Sequence, residues 1–201
     1  MAYPSARRWA LAFFFVVSAS AQTRRLLPVD EASRDLKLVA YLAKFKEAVA
    51  HRNPEELLPL IASEIKLGFG GDDGIANFHP DWPALERLLS RGGAWQGPAY
   101  SVPYVFARFP DDLDAFDYAA ITGKGVWLRE QATSTSRGIR TMDYEIVKVE
   151  DQGDDWWKVT TLRGEKGFVS ARFIASPIGY RAIFQKNRRN EWKLSALLAG
   201  D

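Results

Sequence analysis

The sequence predicts an α+β chain in which a small antiparallel β-barrel is inserted ahead of a C-terminal hairpin. Three features point there. An apolar stripe at helical spacing lies near the start, short alternating segments separated by turns begin at residue 118, and two last alternating segments have no barrel partner left.

With 201 residues, 47% of them apolar, the chain can bury a real core, so disorder is not the default. Residues 1–21 differ from the rest: Arg7 and Arg8 precede an apolar run from Trp9 to Val17, then Ser18-Ala19-Ser20-Ala21. This is the shape of a signal peptide, with cleavage expected after Ala21. The run is shorter than the roughly 20 residues that span a bilayer, so the expectation is a periplasmic or secreted protein that meets the membrane only through this segment. There is no cysteine, which excludes disulfides and a lipid-modified cysteine.

Removing that segment takes two of 27 basic residues and none of the 25 acids, so the formal charge falls from +2 to 0. The electrostatic term that dominates nucleic-acid binding then has no source, and no nucleic-acid partner is expected. Lys186, Arg188 and Arg189, interrupted by Asn187, read as a solvated hairpin tip.

The first α+β segment covers residues 30–117. Leu38, Leu42, Phe45 and Val49 recur at steps of four, three and four, predicting a helix between Asp30 and His51 with its core side on that stripe. Asn53-Pro54-Glu55-Glu56 supplies a cap, a first-turn proline and first-turn acids for a short helix to about Ser63. Ile65, Leu67 and Phe69 alternate as a strand that stops at the glycine-rich loop 70–74. Asp81 can cap a third helix through Trp82, Leu85, Leu88 and Leu89, ended by Gly92-Gly93. Pro98, Pro103 and Pro110 blur the stretch 94–117, although Tyr104-Val105-Phe106 looks extended.

Residues 118–177 hold the barrel, as short runs at 119–122, 126–129, 143–150, 156–162 and 167–169. Residues 178–201 hold the hairpin, with runs at 180–185 and 192–198. A lone hairpin is marginal in water, so it is expected to return to the first segment, making the barrel an insertion.

Within 123–175 stand Val126-Trp127-Leu128-Arg129, Ser134-Thr135-Ser136, Ile146-Val147-Lys148-Val149, Trp156-Trp157-Lys158-Val159 and Gly164-Glu165-Lys166-Gly167-Phe168-Val169. This combination resembles the bacterial SH3-like (SH3b) family. Two departures are Glu130-Gln131-Ala132, where the family has proline or glycine, and Phe168 in place of a tryptophan. The resemblance implies an envelope-binding role, because such barrels commonly attach exported enzymes to peptidoglycan or other envelope peptides. The flanking part, from the Leu38 stripe through Asn53-Pro54 to Trp192-Lys193-Leu194, more loosely resembles the nuclear transport factor 2-like (NTF2-like) cone.

Exposed aromatics are the natural anchors of a binding face. Trp156 and Trp157 are adjacent in a strand and must face opposite ways. By the family pattern Trp157 fills the core, leaving Trp156 for a ligand, with Trp127 and Tyr144 beside it. Arg129 could pair with a ligand carboxylate or fix a loop. The expected partner is a cell-wall peptide or an envelope protein.

Catalysis has few actors. His51 and His79 are the only histidines, and neither cysteine nor Gly-x-Ser-x-Gly is present. His51 ends the first helix and reads as structural, whereas His79, Asp72 and Asp73 are the groups to test for a pocket in the first segment. The Asp72-Asp73 loop offers too few oxygens for calcium, and two histidines 28 positions apart have no zinc spacing. No cofactor and no metal are expected. The leading expectation is thus an exported non-enzymatic binding protein, and the alternative is an envelope enzyme or small-ligand carrier using a cone-like cavity.

Overall fold

The computed structural model describes residues 23–200, so the signal-like segment lies outside the described residues. Helix α1, Leu36–Ala50, begins where the Asp35 carboxylate accepts the N–H groups of Lys37 and Leu38 at 2.8 and 3.1 Å. It starts later than Asp30 because Asp30 is used otherwise, accepting the Tyr100 hydroxyl at 2.6 Å and the Ala32 N–H at 3.2 Å. Its stripe buries Leu38, Leu42, Phe45 and Val49 together with Tyr41 and Ala48.

Helix α2, Pro54–Leu57, is capped by Asn53, whose side chain accepts from the Glu55 N–H at 2.9 Å. Strand β1, Ile61–Lys66, comes earlier than the alternation at 65–69 suggests. The Asp73 carboxylate takes Lys66 and the Leu67 N–H, which closes the glycine loop and leaves Phe69 63% exposed. Helix α3, Trp82–Leu89, is capped by Asp81 through the Ala84 N–H at 3.0 Å.

The proline-blurred stretch contains β2, Ala94–Gln96, and β3, Ala99–Val102, turning at Gly97 with φ +59°. Residues Tyr104–Arg108 form a short helix, α4, where an extended segment was expected. Three residues are too few to separate a period of two from a helical turn, and Tyr104 and Val105 are both buried on one side.

Then follow β4 (Tyr118–Ile121), β5 (Val126–Arg129), β6 (Gly138–Met142), β7 (Ile146–Gln152), β8 (Trp156–Thr161), β9 (Lys166–Ser170), β10 (Ile174–Ala175), β11 (Arg181–Lys186) and β12 (Trp192–Leu198). They build two sheets, ordered β1-β12-β11-β3-β2 and β10-β4-β7-β8-β9-β5-β6. The last hairpin occupies the middle of the first sheet: β12 pairs in parallel with β1, and β11 pairs antiparallel with β3.

The closed barrel expected for 118–177 is not formed. The second sheet is open, with β10 paired only to β4 and β6 only to β5. The edge strands explain this. β10 has two residues before Ser176-Pro177, where proline offers no N–H, and β6 buries only Met142 and so has little apolar surface to draw it across.

Three apolar clusters result. Between helices and first sheet, Phe45 meets Phe184 edge-on at 5.4 Å between ring centroids, with Tyr41 and Tyr100 around them. The second sheet wraps Leu128, Met142, Val147, Trp157, Val159 and Val169. Leu26, Ala94, Tyr104, Val105, Ala120, Ile146 and Ala175 form a third cluster where the two sheets join. The segment 24–26 runs along the same junction: Leu26 N–H donates to the Tyr144 carbonyl at 2.8 Å, and the Arg24 carbonyl accepts from Ile146 N–H at 2.9 Å.

Two ion-pair sets fix turns. Arg140 donates to both Glu145 oxygens at 2.8 and 2.7 Å and to Glu165 at 2.6 Å, so the buried Glu145 is paired, and Glu165 is held below the usual carboxylate range by Arg140. Glu31 receives Arg108 Nη2 at 2.7 and 2.6 Å and the Trp95 N–H at 3.1 Å, which likewise depress its pKa.

Phe184→Ala removes a ring packed against three others and is expected to lower stability by about 3–5 kcal/mol in urea unfolding. Because the Glu31 pKa is lowered on folding, its contribution is complete above the ordinary carboxylate range and fades as pH falls through the depressed value. Glu31→Gln should therefore melt below the wild type at neutral pH, the gap shrinking on acidification, as followed by Tm against pH.

Candidate functional site

Strand β5 alternates strictly: Val126 and Leu128 are buried while Trp127 points out, 48% exposed, and Arg129 is half-buried. Strand β8 is offset the same way, with Trp157 in the core and Trp156 half-buried on the outer face. Between them runs β9, where Ser170 is the registered partner of Trp156. A small serine flanked by two tryptophans makes a groove floor.

The approach of these strands depends on glycine at two places. A Cβ at Gly167 would stand 2.6 Å from the Arg129 carbonyl oxygen, so only glycine lets β9 lie this close to β5. At Gly138 on β6 an added Cβ would come within 2.3 Å of Trp127 Cε3, so the indole lies flat over bare backbone.

The resulting hollow of about 340 Å³ is lined by Trp127, Trp156, Phe173, Arg129, Lys124 and Arg172, with small and backbone contributions from Gly125, Val126, Ser134 and Ser170. Three of these are cations and none is a carboxylate. Arg129 lies 5.8 Å from the Trp127 ring centroid and donates to the Ser136 carbonyl at 2.6 Å, so it both stacks and braces the 130–137 loop. Arg172 lies 5.6 Å from the Phe173 ring, itself 42% exposed. Lys124 stands in the Gly123-Lys124-Gly125 turn, whose Gly125 N–H is held by Asp143 at 2.7 Å.

Trp127, Arg129 and Trp156 therefore share one groove, whereas Tyr144 does not line it. Tyr144 sits at φ +54°, donating its N–H to the Gly123 carbonyl and accepting from Leu26, and this turn carries it to the sheet junction near Tyr104. Its left-handed backbone also explains why β7 begins at Ile146 and not at Asp143. Lys124 and Arg172 had no signal of their own, being single cations in turns whose direction only the folded strands set.

The groups singled out for chemistry elsewhere do not assemble. His79 and Asp72 are exposed, and Asp73 is engaged by Lys66, which holds its pKa down. His51 ends α1 with Nδ1 3.3 Å from Glu56. Among the described residues no cluster of three or more His, Cys, Asp or Glu side chains could hold a metal ion. Nor is any described helix long and apolar enough to cross a membrane.

The sequence matches no family model and no curated protein. Among solved structures, a protein provisionally named a ketosteroid isomerase, from Shewanella frigidimarina NCIMB 400, aligns with 82% of this chain and 94% of its own. The identity is 7% and the TM-score 0.32, a likeness too distant to bear on function.

Gly138→Ala should displace the Trp127 indole while leaving the exposed edge strand in place. The expected signature is a shifted Trp127 indole N–H resonance with the other six tryptophans unmoved; an unshifted Trp127 signal would show that the ring does not rest on Gly138.

Proposed function

We propose that this is an exported, non-enzymatic binding protein whose second sheet recognises a peptide or a cell-wall (peptidoglycan) component in the Trp127–Trp156 groove. The observation that carries this reading is the pairing of exposed aromatics with Lys124, Arg129 and Arg172 in a hollow without any acid lining it. Flat rings cover an extended chain at low entropic cost, and unneutralised cations suit carboxylate-bearing peptides such as wall stem peptides. The SH3-like motifs support the same assignment, since the Gly-x-x-Gly element places Gly167 where β9 must approach β5. Export rests on the signal-like segment alone.

The first sheet with α1, α2 and α3 keeps the order helix, short helix, strand, helix and a closing hairpin, which supports reading it as an NTF2-like cone. Its use as an enzyme or carrier site is disfavoured, because His79 is exposed and the layer is filled by Tyr41, Phe45, Tyr100 and Phe184.

The test is retention of residues 22–201 on purified peptidoglycan. Wild type should be retained, with retention weakening as salt rises, and Trp156→Ala or Trp127→Ala should lose it by tenfold or more while keeping the wild-type circular dichroism. Wild-type protein that washes through at low salt sinks the proposal.

A further inference from the structure

A second hollow lies at the junction of the two sheets, on the opposite side of β8 from the groove. It measures about 470 Å³, within the range of small-molecule sites. One wall is α3 with its flanks, Ala84, Arg87 and Leu88 on the helix, Asp81 at its cap and Arg91 in the turn just past its end; the other is the core-side tryptophan Trp157 with Ile174 and Tyr180.

The charges in it are lopsided. Arg87 and Arg91 are four positions apart and repel each other, and among the described residues neither makes an ion pair or a side-chain hydrogen bond. Arg91 is half-buried, and burial followed by the Arg87 charge lowers its pKa, the mark of a cation kept in a poorly solvated place without a counter-ion. The one acid on the wall, Asp81, sits at the other end of α3 and is occupied as its cap. The rest of the lining is mainly apolar or aromatic, with Gln152 and Ser176 as its uncharged polar members, and burial pushes the Tyr180 hydroxyl up to about 12, so it stays a neutral donor.

We propose that this junction cleft binds an amphipathic organic anion, its carboxylate or sulfonate held by Arg87 and Arg91 and its apolar body lying against Trp157, Leu88 and Ile174. Two adjacent guanidinium groups can share one anionic head, and closing over it relieves their mutual repulsion. The site is separate from the Trp127–Trp156 groove: adjacent residues of one strand, Trp156 and Trp157, face the two hollows from opposite sides.

The experiment compares two probes on the full chain by fluorescence titration: 8-anilinonaphthalene-1-sulfonate and N-phenyl-1-naphthylamine, the same body without the sulfonate. The sulfonate should bind at one site at least tenfold more tightly than the neutral probe. Arg87→Ala and Arg91→Ala should each remove most of that preference without weakening the neutral probe, and Ala84→Trp should block both. Because Arg87 is exposed, its variant carries the test even where Arg91→Ala fails to fold. The titrations are repeated in the Trp127→Ala background, where the other groove, also aromatic and cationic, no longer competes for the sulfonate. Equal affinity for the two probes, a sulfonate affinity indifferent to Arg87→Ala, or its loss in Trp127→Ala would overturn the proposal.

Discussion

The position of the last hairpin is the constraint on which the architecture depends. Strands β11 and β12 lie between β1 and β3, so the first sheet has no continuous hydrogen-bonded path until the final residues arrive. Phe184 on β11 and Trp192 and Leu194 on β12 then complete the layer that α1 and α3 cover. A bulge at Ser195, whose hydroxyl donates to the Ile183 carbonyl at 2.9 Å, shifts the register between Ile183 and Phe184 and lets apolar side chains on both strands face inward. The same arrangement brings the start and end of the second sheet together beside the first, which is where the third apolar cluster forms.

Strand alternation then decides which surfaces can bind. In β5 and β8 the buried members include Val126, Leu128, Trp157 and Val159, and the outward members include Trp127, Arg129 and Trp156. Trp157 is buried within the second sheet's core yet closes one end of the junction cleft, so a single strand serves both a groove and a cleft. Glycine sets the groove's depth: Gly167 lets two backbones meet and Gly138 gives the indole a flat seat.

What the sequence revealed and what it hid follow from the range of the interactions concerned. Helices α1 and α3 were legible because Asp35 and Asp81 act on N–H groups two or three residues away and the stripes repeat over several turns. Trp127, Arg129 and Trp156 could be placed on the outer face because period two needs only neighbours. Strand β6 escaped notice since it buries a single residue, and β2 and β3 because three or four residues beside Pro98 and Pro103 leave no period to read. The open edge of the second sheet and the diversion of Tyr144 are set by distant partners, for Tyr144 Gly123 and Leu26 at 21 and 118 positions, and no local pattern encodes them. The junction cleft was equally hidden, as α3 and β10 contribute facing walls from positions about 90 residues apart.

A sheet whose middle is encoded last has a bearing on how the molecule comes into being. A chain emerging from its N-terminal end presents α1, β1, α3 and β3 while the strands destined to separate β1 from β3 do not yet exist. The second sheet, by contrast, draws all its strands from one uninterrupted stretch, 118–175, and can assemble as soon as that stretch is free. During that interval the apolar face of α1 stands uncovered, and β1 and β3 offer open edges to each other or to neighbouring molecules. Order of emergence and order of completion are therefore opposed in this protein: the layer whose strands begin first is the last to have all of them present.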